Sequence, residues 1–338
     1  MRRIVLTLAM IMALPASLPA AAYAVDAPVF TSWGGSTEAM QARNWLEPFT
    51  KKTGIPVLKD GPTNYGKFQA MVESGNVTWD VVDVEANFAA KAARDGLLEP
   101  LDLPASDLTQ IDPRFVSPYS VGSFYFSFVL GYANPQGPHP ANWHEFFDIA
   151  HFPGKRALYK FPSPGVLEIA LLADGVPPDQ LYPLDLDRAF RKLDTIKSAI
   201  RWWSSGAQSQ QMMAAGSVTA GMFWNGRLRA LQEGGVDVGI SWEQNITVAD
   251  MLVIPRGAHH ADVARQLIGY AISAAPQAAF AHMTGYAPIN LASLALMTPE
   301  DRMAAPQAHA DSHIDPDIAY WAAHHDEIAR RWYAWQAE

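Results

Sequence analysis

Cysteine is absent from the 338 residues of this chain. Its absence excludes disulfide bonds, thiolate nucleophiles, Cys-ligated zinc and the lipidated cysteine that anchors a bacterial lipoprotein. Stability must therefore come from an apolar core rather than from covalent cross-links. The aromatic residues can supply such a core, because the chain holds 11 Trp, 15 Phe and 11 Tyr.

Long apolar runs are also scarce. The run Ile4–Leu14 is too short to cross a bilayer comfortably, and no later run approaches a membrane-spanning length. It follows Arg2 and Arg3 and precedes Ala22-Tyr23-Ala24, a pattern typical of a secretory signal peptide with an A-x-A cleavage site. We therefore expect residues 1–24 to be a signal peptide that is cleaved after Ala24, and the mature protein to be exported.

Basic residues are fewer than acidic ones. Removing residues 1–24, which hold two Arg and no acid, leaves 314 residues with 23 Lys or Arg, 34 Asp or Glu and a formal net charge of −11. Such an acidic chain is a poor partner for a phosphate backbone, so we expect no nucleic acid ligand. A mature length of 314 residues exceeds one comfortable core and favours two lobes.

The first part of the mature chain is predicted to alternate strands with helices. Val29–Ser32 and Trp79–Val84 have the composition of buried strands, whereas Tyr65–Ser74 and Ala86–Arg94 have helical periodicity and end at glycines. Ser36 is a candidate N-cap for the first helix. This alternation predicts an α/β protein with parallel strands and helices on both faces of the sheet.

A second α/β segment follows a Pro- and Gly-rich connection at Ala133–Trp143. The later predicted strands are Arg156–Lys160, Ile200–Trp203, Val218–Trp224, Val236–Ile240 and Asp250–Pro255. We expect a first lobe made of residues 25–132 and 249–290, and a second lobe made of residues 133–248 and 291–338.

Several polar segments follow the ends of predicted strands, where ligands bind in open α/β sheets. They are Ser32–Gly35, Asp83–Glu85 and Trp224–Arg227, and the loops Trp202–Gln211 and Thr284–Asn290 could face them. Their mixture of aromatic, small and hydrogen-bonding residues suits a pocket for a small polar molecule.

Each of these segments also has a purely structural interpretation. Gly34-Gly35 also fits a simple turn, and it lacks the spacing of a nucleotide-binding loop. Trp202-Trp203 is better explained as one core and one surface residue than as two ligand contacts. Asp83 and Glu85 alternate along a strand, so one of them is free to face solvent.

Catalytic motifs are missing from the chain. It contains neither a G-x-S-x-G elbow nor H-E-x-x-H. The doublets His259-His260 and His324-His325 are poor chelates, because neighbouring residues do not share a helix face. We therefore expect a non-enzyme with no cofactor and no metal, and we keep an exported enzyme acting on a small metabolite as a distant alternative.

The order of motifs along the chain resembles a known family. The motifs are SWGG, FTKKTGIPV, SGNVTWDVV, ANWHEFFD, FPGKRAL, GMFWNGR, DMLVIP and GYAPIN, in that order. Together they resemble the periplasmic solute-binding proteins of ABC importers, in the spermidine/putrescine-type group. The resemblance implies a type II periplasmic-binding fold: two α/β lobes joined by two crossover strands, with a ligand cleft between them. It also implies a periplasmic monomer that closes on a small-molecule ligand and delivers it to an ABC permease in the inner membrane.

The resemblance and the strand-end segments together predict the ligand contacts. They are Trp33, Gly34, Gly35, Glu85, Ser205, Gln208, Trp224, Arg227, Asp250 and Tyr286. Trp224 and Tyr286 match aromatics that box the alkyl chain of a polyamine, and Asp250 matches an acid that holds an ammonium group.

The sequence departs from the polyamine pattern at four places, one of which is that Gly35 and Ser36 stand where an aromatic residue is expected soon after Trp33. Val248 replaces an expected Trp, Phe161–Gly165 lacks the expected carboxylates, and Arg227 adds a cation beside Trp224. On the resemblance we place a polyamine or another amine first, with a small carboxylate as the alternative ligand.

Overall fold

A single mixed β-sheet runs through the molecule. The computed structural model describes residues 26–338, so the predicted signal peptide lies outside the described residues. The strands are β1 Val29–Thr31, β2 Leu58–Asp60, β3 Val81–Glu85, β4 Ser120–Ala133, β5 Arg156–Tyr159, β6 Ile200–Trp203, β7 Ala220–Trp224, β8 Val238–Val253 and β9 His313–Ile314. Their order in the sheet is β2-β1-β3-β8-β4-β7-β5-β6, and β9 pairs with β8.

Helices fill most of the connections between strands. They are α1 Gly35–Gln41, α2 Glu47–Thr53, α3 Tyr65–Ser74, α4 Ala86–Arg94, α5 Ala105–Leu108, α6 Trp143–Phe147, α7 Val166–Ala173, α8 Leu186–Asp194, α9 Gly206–Ala214, α10 Asn225–Glu233, α11 Ala261–Ala271, α12 Ala274–Thr284, α13 Pro299–Ala304 and α14 Ile318–Ala337. A π-helical turn, Ala42–Leu46, joins α1 to α2. Short 3₁₀ helices cover Pro113–Phe115, Pro178–Gln180, Lys197–Ala199, Leu291–Leu296 and Pro306–Ser312. Within residues 26–338, no helix combines the length and apolarity that a membrane crossing requires.

Two long antiparallel strands form the centre of the sheet. β4 has 14 residues and β8 has 16, and they pair from Ser120 and Val253 to Ala133 and Val238. On one side, the parallel strands β1, β2 and β3 attach to β8 through β3; on the other, the parallel strands β5, β6 and β7 attach to β4 through β7. We call the β1–β3 side, with its connecting helices, the first lobe and the β5–β7 side the second lobe.

The long central strands correct the sequence interpretation. Val236–Ile240 and Asp250–Pro255 were predicted as separate strands, whereas β8 is continuous from Val238 to Val253, and β4 was not predicted. Polar side chains interrupt the apolar pattern of both segments in the sequence. In the structure, side chains of this kind form hydrogen bonds between β4 and β8. The Ser127 hydroxyl, for example, donates to Asn245 Oδ1 at 2.7 Å.

The bounds of two early helices agree with the predictions, whereas the start of α1 does not. The predicted bounds of α3 and α4 are confirmed, and the Asn64 side chain caps α3 by accepting a hydrogen bond from Lys67 N at 2.8 Å. The prediction that Ser36 caps α1 is wrong, because the helix already begins at Gly35. Gly34 takes the N-cap position instead, with φ of 69°, a left-handed conformation that favours glycine.

The C-terminal helix α14 packs against the second lobe. Its buried tryptophans include Trp332, whose Nε1 donates to Lys160 O at 2.8 Å, and Trp335, whose Nε1 donates to Asp194 Oδ1 at 2.8 Å. The helix also approaches α4 of the first lobe, where Lys91 Nζ lies 3.9 Å from an oxygen of Asp326. It therefore contacts both lobes.

Candidate ligand-binding site

A small cavity lies between the lobes, where β1, β3 and β7 end. It is lined by Trp33, Thr37, Glu85, Phe124, Phe126, Trp224, Asp250 and Tyr286. The side chains close tightly around it: the cavity volume is about 10 Å³, room for roughly one water molecule. Both lobes and the central strands thus contribute to one cavity.

Strand register places two carboxylates side by side. Glu85, the last residue of β3, is paired directly with Asp250 of β8. Side chains of directly paired residues lie on the same face of a sheet, so both acids point to the cavity that they line. Phe124 and Phe126 of β4 share this face, because Phe124 pairs with Asp250 from the other side.

Aromatic rings pack closely around the cavity. The Trp224 ring lies 5.0 Å from that of Trp203 at 86° and 5.7 Å from that of Phe126 at 74°. Phe124 stacks on Tyr286 at 5.0 Å and 5°. Trp224 is only 8% exposed, so it belongs both to the core and to the cavity wall. Trp203 is fully buried and Trp202 partly exposed, as the structural interpretation of that pair expected.

Burial makes ionisation of the acids costly. It raises the pKa of Glu85 to about 7, although hydrogen bonds from Ser163 and Tyr65 lower it again in part. The pKa of Asp250 is raised well above its usual range by burial, and then by the charges of Asp83 and Glu85. The cavity therefore favours a cationic group that would compensate these carboxylates.

Asp83 lies behind the cavity. Burial raises its pKa to about 7, although hydrogen bonds from Gln41 and from Ser123 Oγ, the latter at 3.2 Å, lower it in part. The expectation that either Asp83 or Glu85 faces solvent is wrong, because Asp83 is fully buried and Glu85 lines the cavity. The reason is that residues two apart on a strand point to the same side of the sheet, so both side chains point into the protein.

Arg227 is a buried cation next to the cavity. It is 3% exposed, and its guanidinium lies 5.7 Å from the Trp224 ring centre. Its Nη2 donates to Thr37 Oγ1 at 2.6 Å and its Nη1 donates to Ser36 Oγ. Within residues 26–338 no carboxylate forms an ion pair with Arg227. A buried guanidinium held only by hydroxyl groups is well suited to an anionic ligand group.

Several buried polar atoms around the cavity have no hydrogen-bond partner among the described residues. They include three donors, Trp33 Nε1, Trp224 Nε1 and Arg227 Nε, and one acceptor, Asp250 Oδ1. Each such group costs about 1–3 kcal/mol when it stays unsatisfied. A ligand that carries both acceptors and donors would satisfy them.

Five predicted site residues are not among those that line the cavity: Arg227, which contacts the lining residues Trp224 and Thr37, and Gly34, Gly35, Ser205 and Gln208. Gly34 and Gly35, with φ of 69° and 61°, form the left-handed turn into α1, and Gly35 passes near Arg227. Ser205 Oγ caps α9 by accepting from Gln208 N at 3.2 Å, and Gln208 Oε1 accepts from Ser204 N at 2.8 Å. Their polar atoms are thus engaged in local hydrogen bonds.

Sequence reasoning missed part of the cavity wall. Phe124, Phe126 and Thr37 line the cavity, and Ser163 contacts Glu85. The alternation in Phe124–Phe128 (FYFSF) is a strand signal that would have placed Phe124 and Phe126 on one face. Nothing in the local sequence marks Ser163 or Thr37, since their positions depend on contacts between distant segments.

Comparison with known proteins finds related bacterial proteins. The family model of the bacterial extracellular solute-binding proteins matches residues 44–311. The chain is 34% identical over 318 residues to the gamma-aminobutyric acid-binding protein of Pseudomonas aeruginosa, covering 90% of each chain. It is also 28% identical over 243 residues to spermidine/putrescine-binding periplasmic protein 1 of Haemophilus influenzae, covering 67% of this chain and 66% of the relative.

A solved structure shares the fold. A gamma-aminobutyric acid (GABA) receptor aligns with a TM-score of 0.86 at 54% identity, over 93% of this chain and 98% of the receptor chain. The alignment confirms the predicted type II periplasmic-binding fold, in which two α/β lobes are joined by two crossover strands.

Proposed function

Because the chain belongs to the family of bacterial extracellular solute-binding proteins, we propose that it captures a short amino acid whose amino and carboxyl groups lie at opposite ends, with GABA as the first candidate. The protein would hold this solute between its lobes and deliver it to the permease of an ABC transporter. The mature chain would do so in the periplasm, after cleavage behind Ala24, and as a monomer.

The pairing of an unsatisfied acid with an unsatisfied cation supports this ligand class most strongly. Asp250 Oδ1 is a buried acceptor, and Arg227 Nε is a buried donor that no carboxylate of residues 26–338 neutralises. GABA carries one ammonium group and one carboxylate. The ammonium would bind Asp250 and Glu85, and the carboxylate would bind Arg227 and the indole N–H of Trp224. GABA is also the ligand named for the Pseudomonas relative and for the solved receptor.

A polyamine is the second candidate, because the Haemophilus relative is a spermidine/putrescine-binding protein. The adjacent carboxylates Glu85 and Asp250 favour an amine, as the sequence predicted. However, a diamine would bring its second ammonium group near Arg227, and like charges repel in a buried site. An amino acid offers an ammonium group to the carboxylates and a carboxylate to Arg227. The amine and the small carboxylate that the sequence left as alternative ligands are then the two ends of one molecule.

Lobe closure is the proposed mechanism of capture. We place the lobe boundaries at residues 25–132 with 249–290, and at residues 133–248 with 291–338. The passage of β4 and β8 between the two strand groups supports this division. Arg227 of α10 and Thr37 of α1 would meet only when the lobes close, as hinge motions of this type require.

A thermal-shift screen tests the proposed ligand class. The mature chain would be heated with GABA, its three- and five-carbon homologues, putrescine, spermidine, small quaternary amines and small organic acids. A true ligand at about a hundredfold excess over its Kd adds near 2.7 kcal/mol of stability. GABA or a homologue should give the largest shift. Stabilisation by putrescine without stabilisation by any amino acid would favour the polyamine instead.

Two variants assign the ends of the ligand. Asp250→Asn should abolish the shift with GABA because the ammonium loses its ionic partner. Arg227→Gln should abolish the shift with GABA because the ligand carboxylate loses its ionic partner. Asp262→Asn, which changes a carboxylate that is 96% exposed on α11, is the matched control and should keep the shift.

A further inference from the structure

A hydrogen bond crosses the cleft from the Phe161–Gly165 segment, where the polyamine pattern would have placed carboxylates. The Ser163 hydroxyl, in the segment after β5, donates to Glu85 Oε1 at 3.0 Å. Glu85 ends β3, on the opposite side of the central β4–β8 pair. Ser163 is only 6% exposed, and Glu85 is half-buried. The second lobe thus contributes a donor to a carboxylate of the first lobe.

The other oxygen of Glu85 is held within its own lobe. Tyr65 OH donates to Glu85 Oε2 at 3.2 Å and accepts from Glu85 N at 3.0 Å. The Tyr65 ring is fixed by stacking on Phe88, with centroids 3.8 Å apart. One neutral donor therefore binds each carboxylate oxygen, and together they fix the direction in which the carboxylate points. Only the Ser163 contact depends on the position of the second lobe.

The loop that carries Ser163 is anchored by a buried carboxylate. Glu168 Oε2 accepts from Gly165 N at 2.7 Å, two residues after Ser163. Its Oε1 accepts from Trp321 Nε1 at 2.7 Å and from Tyr182 OH at 2.5 Å. Glu168 is fully buried, and burial raises its pKa. The donors offset the cost of burying this carboxyl group, and they join the loop to the C-terminal helix α14.

We infer that Ser163 is a positioning residue for ligand capture: its hydroxyl orients Glu85 beside Asp250, toward the cationic end of the ligand, once the lobes close. Glu168 positions Ser163 in turn by fixing its loop. This inference rests on the proposed function, since it assigns a partner to the ammonium group of the captured amino acid. In the open form Ser163 leaves with the second lobe, and Glu85 keeps only the Tyr65 donor.

The charge of Glu85 would then depend on closure. Hydrogen bonds to a carboxylate favour its ionised form, and burial opposes it. The titratable groups near Glu85 are Tyr65 on α3, Tyr159 on β5, Asp83 on β3 and Asp250 on β8. None of these is a cation, so the hydroxyl donors are the groups that support the ionised form. Removing the Ser163 hydroxyl should therefore raise the pKa of Glu85 from its value of about 7.

The test is the pH profile of GABA binding to Ser163→Ala, measured by calorimetry with the mature chain. Wild type should bind more weakly near pH 6 than near pH 8, as Glu85 takes up a proton. The variant should lose roughly tenfold in affinity near pH 6, the effect of one hydrogen bond to a charged group, and less near pH 8. Ser163→Thr should restore the wild-type profile. Ser198→Ala, at an exposed serine before β6, is the matched control and should leave the profile unchanged.

A double-mutant cycle with Glu85→Gln distinguishes an effect of Ser163 on Glu85 from a general loss of structure. In the Glu85→Gln background, adding Ser163→Ala should cost no further affinity at either pH. The inference is overturned if the Ser163→Ala loss is the same at both pH values, or if it persists in that background. If wild type binds no amino acid at all, the proposed function fails, and this inference fails with it. If wild type binds GABA but the profile of Ser163→Ala does not move, only this inference fails.

Discussion

Arg227 Nη2 lies 2.6 Å from Thr37 Oγ1, joining the helix that follows β7 to the helix that follows β1. The two helices lie on opposite sides of the central strand pair. The residue proposed to hold the ligand carboxylate is therefore the residue that ties the lobes together. Ligand binding and lobe closure would then stabilise each other through one side chain.

Thr37→Val tests this coupling. Valine keeps the shape of threonine but removes the hydroxyl that accepts from Arg227. A hydrogen bond to a charged group contributes about 1.5–3 kcal/mol, so affinity for GABA should fall roughly tenfold to hundredfold. Calorimetry measures this change. Thr109→Val, at an exposed threonine, is the control. Unchanged affinity in Thr37→Val would show that ligand binding does not depend on the hydrogen bond between Arg227 and Thr37.

Gly206→Ala should weaken binding without unfolding the protein. A Cβ at Gly206 would lie 2.3 Å from Arg227 Nε, so the guanidinium would have to move. The helix itself should tolerate alanine, which is intrinsically the better helix former by about 1 kcal/mol. We expect weaker GABA binding with an undiminished melting temperature of the ligand-free protein. Ala214→Gly, at an exposed position inside α9, is the control, because it measures the difference in helix propensity between alanine and glycine.

Trp224→Phe should cost ligand affinity rather than only stability. The change removes an indole N–H that has no partner among residues 26–338 and keeps most of the ring. We expect a loss of about 1–3 kcal/mol in binding free energy, as for other buried aromatic anchors. Trp143→Phe is the matched control, since Trp143 Nε1 donates to Gln244 O at 3.0 Å away from the cavity. If both variants lose stability equally and neither loses affinity, Trp224 is a core residue only.

The ligand-free protein should become less stable as the pH rises from about 4 to 7. Burial raises the pKa of Asp83 and of Glu85 to about 7, compared with about 3.9 and 4.3 in an unfolded chain. The folded chain therefore binds more protons than the unfolded chain over this interval, and the free energy of unfolding contributed by these groups falls with rising pH. Asp83→Asn should flatten the dependence in urea titrations. An unchanged slope would show that Asp83 titrates normally.

Much of the cavity could be predicted from the sequence because its residues follow strand ends. Trp33, Glu85, Trp224 and Asp250 each lie at or beside a segment that reads as a strand, and Tyr286 came from the family resemblance. The α/β alternation and the bounds of α3 and α4 followed from local periodicity in the same way.

The remaining features depend on contacts that local patterns do not encode. β4 was missed because Ser123 and Ser127 interrupt its apolar pattern, although both hydroxyls find partners in neighbouring segments. Ser205 and Gln208 were predicted as ligand contacts, but their polar atoms cap α9 and its preceding turn. The role of Ser163 depends on the meeting of two lobes and could not be read from one segment.

The central claim is that one ligand carries both the ammonium group that binds Asp250 and Glu85 and the carboxylate that binds Arg227. Calorimetric titration of the mature chain with GABA, butanoate and butylamine tests it most directly, because each analogue lacks one charged end. We predict saturable binding of GABA and at least roughly hundredfold weaker binding of both analogues, since each would leave one buried charged group unpaired. Butylamine or putrescine binding as tightly as GABA would contradict the account.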